Sequence, residues 1–417
     1  MFYSLKRQAV LFLSALLLTL TASVGFAQNN CLECHSDFED DDGPSHMVTR
    51  DVHHLNGIGC NDCHGGDPTL DDMDDVRASA GFRGVPARNK IPEFCARCHS
   101  DAPFMRDHNP KLPTDQLDKY KTSTHGKRLF GEGDKKVATC VSCHTAHEIG
   151  DGSMPNSTTY PTKLPFTCGH CHGDADYMAD YRIPTDQLSD FQKSVHGHAL
   201  LENNDLGAPS CNDCHSNHGA APPGLSSLDA VCGNCHAYQA ELFMASPHKE
   251  AYAENDFPMC ETCHSNHLII VADDSRVGTE DPAFCVDCHS ADDGTRGFAV
   301  ADSISVALAA LQKSRDSAVA TLEEATLKGM HTTDEEFLLK EIDQIAIKTR
   351  SLVHSFASTD LVPTAYEGVT KADSLKVSAQ SLIDDYYFRR KGLAIATLII
   401  TLLAILLYTR IRRIEKK

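Results

Sequence analysis

The sequence predicts a mainly α-helical protein with extensive coil, in which repeated short units precede a helical hairpin and one membrane-spanning helix. A Cys-x-x-Cys-His motif occurs nine times between Cys31 and His289 and uses all 18 cysteines. Stretches rich in proline and glycine, such as "NPKLP" and "APPG", separate the motifs and favour short helices joined by loops. After Phe298, apolar residues recur with helical spacing, and a long uncharged run follows them.

The chemistry of the repeated motif is that of covalent haem attachment. Two thiols a fixed short distance apart add to the two vinyl groups on one porphyrin edge, and the histidine binds the iron as proximal ligand. A single motif could instead be a zinc half-site or a redox-active dithiol, and a cysteine-dense exported chain could be a disulfide framework. Because every pair is followed by histidine and no cysteine is left over, we predict nine covalently bound haem c groups.

The predicted attachment residues fall into two sets. The cysteines are Cys31, Cys34, Cys60, Cys63, Cys95, Cys98, Cys140, Cys143, Cys168, Cys171, Cys211, Cys214, Cys232, Cys235, Cys260, Cys263, Cys285 and Cys288. The proximal iron ligands are His35, His64, His99, His144, His172, His215, His236, His264 and His289.

The motifs are arranged in internal repeats. One unit runs from Phe94 to Ile149, a second from Thr167 to Ala220, and a shorter third from Val231 to Ile270. Each has an opening motif, a Ser-x-His segment and a closing motif. The first two motifs form a looser copy, and the ninth resembles an opening half, so we predict four dihaem modules plus one extra haem. So short a chain per haem cannot build an ordinary core, and we expect no stable fold without haem.

Histidines outside the motifs recur in register and are predicted distal iron ligands. Three stand three residues after a closing proximal histidine, three stand in the Ser-x-His segments, and two of His46, His53 and His54 are expected to serve the first module. His108, His331 and His354 are candidates for a ninth ligand, although a solvated histidine is equally expected at 354, and a five-coordinate iron stays open. The predicted distal set is His125, His147, His196, His218, His248, His267, His46, His53 and His54.

The two ends of the chain predict its compartment. Residues 1–27 have a basic start, an apolar run and small residues before Ala27, which is typical of a secretory signal peptide; an uncleaved anchor is the alternative. Gly392 to Thr409 carries no charge and is just long enough to span a bilayer, with a buried core helix as the alternative. The basic residues after it place the C-terminus in the cytoplasm. The haem region is therefore expected on the periplasmic, outer face of the cytoplasmic membrane.

Between the haem motifs and the apolar run the sequence predicts three helical segments. The first covers 302–328 and ends at Gly329, the second starts at a capping box in "TDEE" (333–336) and reaches about Ala357, and the third covers about 364–390. The predicted organisation is a signal peptide at 1–27, a nine-haem domain at 28–298, a helical hairpin at 299–390, a transmembrane helix at 391–409 and a basic cytoplasmic tail at 410–417.

Net charge is −20. The acidic runs at 37–43 and 71–75 are expected to be solvated surface; a calcium site, or a docking patch for a basic cytochrome, is the alternative. Charge and compartment together exclude nucleic acid as a partner.

Residues 31 to 290 resemble the bacterial multihaem c-type cytochromes, and the motifs "CxxCH" and "SxHG…CxxCHxxH" carry the resemblance. The resemblance implies bis-histidine, low-potential haems packed closely in chains. The quinol-oxidising members typically have an N-terminal anchor and fewer haems, whereas this chain has a C-terminal apolar run and an added hairpin.

These features favour an electron conduit between a membrane partner and periplasmic or extracellular acceptors. The expected partners are a membrane-embedded redox subunit or quinol dehydrogenase on one side and soluble or outer-membrane cytochromes on the other. The alternative is a reductase of a small nitrogen or sulfur oxyanion at one five-coordinate haem. Nitrite-reducing relatives often carry lysine in place of a proximal histidine, and no "CxxCK" occurs here. A redox sensor is less favoured, since no output domain is recognisable.

Overall fold

The structure, a computed structural model, describes residues 29–36, 43–222 and 228–416. The predicted signal peptide and residues 37–42 of the first acidic run lie outside the described residues. Every regular element in the described part of the chain is a helix, which confirms the predicted mainly helical class. The chain divides into two compact units, Met1–Pro222 and Pro223–Lys417.

The first unit consists of short helices joined by long loops, and none of its described helices exceeds nine residues. Its few buried apolar side chains recur in register, as Met105 and Leu129 correspond to Met178 and Leu200. The α-helices are Asn30–Ser36, Pro44–Met47, Val52–Leu55, Cys60–His64, Met73–Ala78, Ile91–His99, Ala102–His108, Gln116–Thr122, Thr124–Lys127, Cys140–His144, Leu164–His172, Ala175–Met178, Gln187–Lys193, Val195–Gly197 and Cys211–His215. Single 3-10 or π turns stand at Val48–Arg50, Arg88–Lys90, Arg128–Glu132, Ala179–Tyr181 and His198–Glu202.

The second unit joins short helices to three long ones. The short α-helices are Leu228–Gly233, Ala237–Met244, Pro247–Glu254 and Met259–His264, with 3-10 turns at Asp274–Arg276, Phe284–Asp287 and Val353–Ser355. We name Gly297–Leu327, Thr333–Leu352 and Ser358–Glu415 the first, second and third long helices.

The three long helices pack side by side as a bundle, here called the stalk. Small and aliphatic side chains fill its core, among them Leu311, Ile342 and Leu375. The first and second helices are joined by a short loop and fold back antiparallel, with Arg315 of the first paired with Asp343 of the second (2.7 Å between Nε and Oδ1). The first and third run in the same direction, because Leu311 lies against Gly368 and Lys328 lies over the ring of Tyr387.

The helix ends differ from the sequence prediction around residues 332 and 356. The second helix is N-capped by Thr332, and its side chain does not form the predicted capping box. That helix ends at Leu352 rather than near Ala357, since Phe356 turns the chain with a φ of 49°. The third helix consequently begins at Ser358 instead of about 364.

The third helix continues from the stalk into the uncharged run as one element of 58 residues. In the part of the chain that the structure describes, it is the one helix long and apolar enough to cross a membrane. Its most apolar window has a mean hydropathy of 2.4 and buries nothing inside the molecule. Such a helix fits a membrane anchor, as predicted.

Candidate haem-binding sites

The closing motifs share a local structure that starts with a hydrogen bond back to the helix cap. In three of the four, the first cysteine begins a five-residue helix, at Cys60–His64, Cys140–His144 and Cys211–His215. The third helix residue accepts from the backbone N–H of the cap: Asp62 from Gly59 (2.7 Å), Ser142 from Thr139 (3.0 Å) and Asp213 from Ser210 (2.7 Å). These bonds fix both cysteines on one helical turn.

The residue after each closing histidine bends the chain away sharply. Gly65, Thr145, Ser216 and Ser265 have φ values of 69°, 65°, 65° and 64°. Only glycine adopts this region without strain, so three of the four turns hold a strained residue. In the last three of these motifs the bend leads into the segment that holds a histidine three residues on, at positions 147, 218 and 267.

Two of the opening motifs end nine-residue helices, Ile91–His99 and Leu164–His172. In each of these two modules the first cysteines of the opening and closing motifs touch, Cys95 with Cys140 and Cys168 with Cys211. Cys95 and Cys168 each donate a hydrogen bond to the partner sulfur, and this bond, together with burial, raises the pKa of both thiols. The two attachment sites of one module are therefore adjacent in space, and none of the 18 cysteines, all in the described residues, forms a disulfide.

The Ser-x-His segments are short helices that a buried serine caps. Ser123 accepts from the N–H of Gly126 (2.9 Å), and Ser194 accepts from that of Gly197 (3.0 Å). Ser246 accepts from the N–H of His248 (3.2 Å). The cap fixes the backbone of the first helical turn, and the histidine lies in that turn.

Asp51 takes the place of this serine in the first module. Its carboxylate accepts from the N–H of His53 (2.8 Å), from the Nδ1 of the same residue (3.0 Å) and from the N–H of Ile149 (2.8 Å). Burial alone would raise the pKa of Asp51, but the hydrogen bonds from His53 and Ile149 outweigh it, so its pKa is lowered. His53 thereby corresponds to His125 of the next module.

Six proximal histidines each face a second histidine at nearly the same distance. The ring centroids lie 5.9 Å apart for His53–His99, 6.0 Å for His64–His147, 6.1 Å for His125–His172, 6.1 Å for His144–His218, 6.0 Å for His248–His289 and 6.0 Å for His264–His354. Two imidazole–metal bonds of about 2.0 Å each, with half a ring beyond each, fill about this separation. The residues present therefore fit a metal ion held between two imidazoles.

The pairs join different modules. The closing histidine His64 faces His147 of the next module, and His144 likewise faces His218. The Ser-x-His histidine at 125 faces the opening histidine at 172, one module further on. His53 and His248 face the opening histidines of the modules after theirs in the same way. Four of these pairs link the first three modules to one another, and the fifth links the fourth module to the ninth motif.

In nine of these rings the surroundings favour the neutral form, which is the form that binds metals. Burial, the largest cause, and neighbouring histidines lower the pKa of the following residues: His99, His125, His144, His147, His172, His248 and His264. Burial also lowers the pKa of His218 and His354. A neutral imidazole keeps one nitrogen lone pair for a metal, which the protonated ring lacks.

Hydrogen bonds to the second ring nitrogen orient several of these imidazoles. The Nδ1 of His64 lies 2.8 Å from the carbonyl oxygen of Gly84, and that of His289 lies 3.2 Å from a carboxylate oxygen of Asp293. Such outer partners select the tautomer that presents Nε2 and raise its basicity as a ligand.

Buried polar atoms beside the opening motifs also recur in register. The side-chain Oε1 atoms of Gln116 and Gln187, in the two copies of "PTDQL", are buried without a hydrogen-bond partner. The helices that they begin pack against Ile91–His99 and Leu164–His172. Buried polar atoms normally have a partner, and an amide oxygen needs one that donates a hydrogen bond.

The remaining predicted ligands and the open candidates stand as follows. His46, His54, His196 and His267 stay predictions. His108 stacks on Phe104 (3.9 Å between centroids) and bonds to the carbonyl of its own helical turn, while His331 is exposed in the loop before the second long helix. The sequence does not identify His354 as a ligand, because the ring that it faces, His264, is 90 residues away and His354 belongs to no repeat.

The acidic run at 71–75 serves as a helix cap. Asp72 accepts from the N–H groups of Asp74 and Asp75, and all three side chains are exposed. Within the described ranges, no group of three acidic, histidine or cysteine side chains is arranged to hold a metal ion without haem. The calcium alternative therefore gains no support from this run.

Comparison with known proteins agrees with the site chemistry. Residues 18–65 match the family described as cytochrome c554 and c-prime. The chain is 23% identical over 213 residues to the C-type polyheme cytochrome OmcC of Geobacter sulfurreducens, a match that covers 45% of this chain and 26% of that protein. The chain thus spans about a quarter of the length of this relative. No solved structure matches this chain.

Taken with the attachment motifs, these matches define the chain as a multihaem c-type cytochrome. Members of that class carry covalently bound haem c.

Proposed function

We propose that this protein is a membrane-anchored cytochrome that relays electrons through nine haems, each with two strong axial ligands, mostly histidines. The facing pairs of histidines are the observation that carries the proposal. An iron with two strong axial ligands has no open position for a substrate, so it can exchange electrons only. When bound, the haems supply the redox chemistry, and the chain's own residues attach them, orient the axial imidazoles and exclude water.

The cross-module pairing supports a continuous path. Because the imidazoles of one module face the proximal histidines of the next, neighbouring haems are expected to be held close together. The contact between Cys95 and Cys140 does the same for the two haems of one module. Within the first unit, the path for electrons then continues across the boundaries between its modules.

The third long helix would anchor this array in the cytoplasmic membrane. Its basic end, from Arg410 onward, favours a cytoplasmic C-terminus and an outward-facing haem region. At 1.5 Å per residue, the stalk from Ser358 to Lys391 raises its upper end about 50 Å above the start of the apolar run.

The height of the stalk limits which redox partners can reach the haems at its upper end. The haem motifs of the second unit, at Cys260–His264 and Cys285–His289, belong to the upper end of the stalk, where Phe243 packs on Phe356 and Val277 packs on the core. From this end, a quinol site inside the bilayer is out of reach. We therefore infer that the partner here is a redox subunit that projects from the membrane, or a soluble or outer-membrane cytochrome.

The test is to count haems and spin states in the purified, oxidised, full-length protein. Mass spectrometry should show the mass of nine haems added to the chain. Low-temperature EPR should then show low-spin iron only.

One stoichiometric high-spin iron in the wild-type protein would contradict the relay and favour the alternative, a reductase of a small nitrogen or sulfur oxyanion. Fewer than nine haems, with cysteines left reactive to thiol reagents, would contradict the proposed count.

A further inference from the structure

For the haem expected at the closing motif Cys260–His264, the repeats predict no distal ligand. His64 and His144 each face the histidine that stands three residues after the next closing motif. The motif that follows His264, at Cys285–His289, has Asp292 at the corresponding position. The repeat pattern therefore supplies no such imidazole for the haem at this motif.

We propose that His354, from the stalk, is the distal ligand of the haem attached to Cys260 and Cys263. The proposal rests on the bis-histidine relay and extends it to a residue outside the repeats. The rings of His264 and His354 lie 6.0 Å apart and nearly parallel, at 18°. This is the separation of the cross-module pairs, reached by a residue with no repeat relationship to them.

The orientation of the His354 ring agrees with a ligand. Its Nδ1 lies 3.0 Å from the carbonyl oxygen of Ser351, to which it donates a hydrogen bond. The lone pair is then on Nε2, the other side of the ring. A backbone carbonyl as outer partner is a common arrangement for metal-binding histidines.

The surrounding contacts fix His354 in place. It lies in the 3-10 turn Val353–Ser355, and Phe356 directly after it packs on His248 (3.9 Å between ring centroids) and on Phe243 (6.1 Å). Before the turn, Ser351 accepts a hydrogen bond from Gln239 (3.2 Å). These contacts hold the turn against the haem-motif segments on both sides of the histidine.

An ion pair adds a further restraint one helical turn earlier. Arg350 donates through Nε and Nη2 to the two carboxylate oxygens of Asp274, at 2.8 and 2.9 Å. Asp274 follows the closing motif by ten residues, so this bidentate pair ties the chain after the motif to the second long helix. The stalk is thus built to present His354 as well as to support the haem region.

The stalk therefore supplies the distal imidazole that a further module would otherwise supply. It closes the last bis-histidine pair of the repeat series, so loading of this haem is coupled to folding of the stalk. The eighth haem is then held at the upper end of the stalk. It is attached to the closing motif through Cys260 and Cys263 and ligated from the stalk by His354.

The experiment uses full-length oxidised protein and three histidine variants. His354→Ala should create one high-spin iron per protein in the EPR spectrum, and added imidazole should return it to low spin. His354→Met should stay low-spin but raise the potential of one haem, because methionine–histidine ligation raises haem potentials. His331→Ala, an exposed histidine of the same unit, should change neither.

Haem removal then identifies which iron is affected. In the His354→Ala background, Cys260→Ser with Cys263→Ser should abolish the high-spin signal. Cys285→Ser with Cys288→Ser should remove one haem but retain that signal.

A fully low-spin His354→Ala protein would overturn the inference and leave the relay intact. So would a high-spin signal that disappears with the Cys285 haem instead. A high-spin iron already present in the wild type would count against the relay itself, which separates the two failures.

Discussion

The glycine that ends each "SxHG" segment in the two longest repeats is required by a backbone contact. A Cβ on Gly126 would lie 1.9 Å from the carbonyl oxygen of Tyr120, and one on Gly197 would lie 1.9 Å from that of Phe191. Ser123 and Ser194 cap the same short helices from buried positions. The motif therefore combines a cap, an imidazole and a point of close chain approach in four residues.

Gly126→Ala should destabilise the first unit by about 1–3 kcal/mol, because neither the added methyl group nor the carbonyl can move freely. Thermal unfolding of the holoprotein, followed by far-ultraviolet circular dichroism, measures this change. Gly131→Ala is the matched control, since a Cβ there has nothing within 4 Å. Equal stability of the two variants would show that the contact at Gly126 is absent.

Among the elements, the three long helices approach closely at one glycine. A Cβ on Gly368 of the third helix would lie 2.6 Å from Cδ1 of Leu311 and 3.0 Å from Cγ2 of Ile345. Leu311 is 3% exposed and cannot turn outward. The absence of a side chain at 368 lets all three helices share one tightly packed layer.

Gly368→Leu should overpack this layer and lower the stability of the stalk by about 1–3 kcal/mol or more. Lys376→Leu introduces the same side chain at an exposed position of the same helix and should leave stability nearly unchanged. Urea unfolding of both variants, monitored by helix content, tests the difference. An equal shift in the unfolding midpoint would contradict the packing described here.

At the scale of the whole molecule, the third long helix continues without interruption from the stalk into the apolar run. The stalk core extends to Ile383, which is 3% exposed, whereas the run beyond Gly392 is exposed throughout. Packing inside the molecule thus ends before the apolar run begins. The run contributes no contacts to the fold, so it is free to interact with lipid.

A chain that stops after Lys391 should therefore be released from the membrane with its haems and helical stalk intact. Cell fractionation, with the visible spectrum as the readout, tests this expectation. The full-length chain should remain in the membrane fraction under the same conditions. If the shortened protein also stays there, the anchor is elsewhere, and an uncleaved N-terminal segment becomes the favoured explanation.

Local covalent chemistry made much of this protein predictable. Two thiols and a histidine at fixed spacing suffice to predict each haem attachment site, as the geometry of one porphyrin edge sets that spacing. The length and apolarity of the run from Gly392 likewise predict a spanning helix without reference to any partner. The helical class also followed, whereas the helix ends near Gly297, Thr332 and Phe356 differ from the prediction.

The pairing of the histidines was decided by tertiary structure. Register across the repeats predicts that His125 and His147 are distal ligands, but their partners at His172 and His64 lie in other modules. His354 has no repeat relationship at all and is placed by the contacts of Phe356, Ser351 and Arg350 around it. The physical reason is that a metal ion needs imidazoles at a set distance, whatever their separation along the chain, and only the folded chain determines which of them meet.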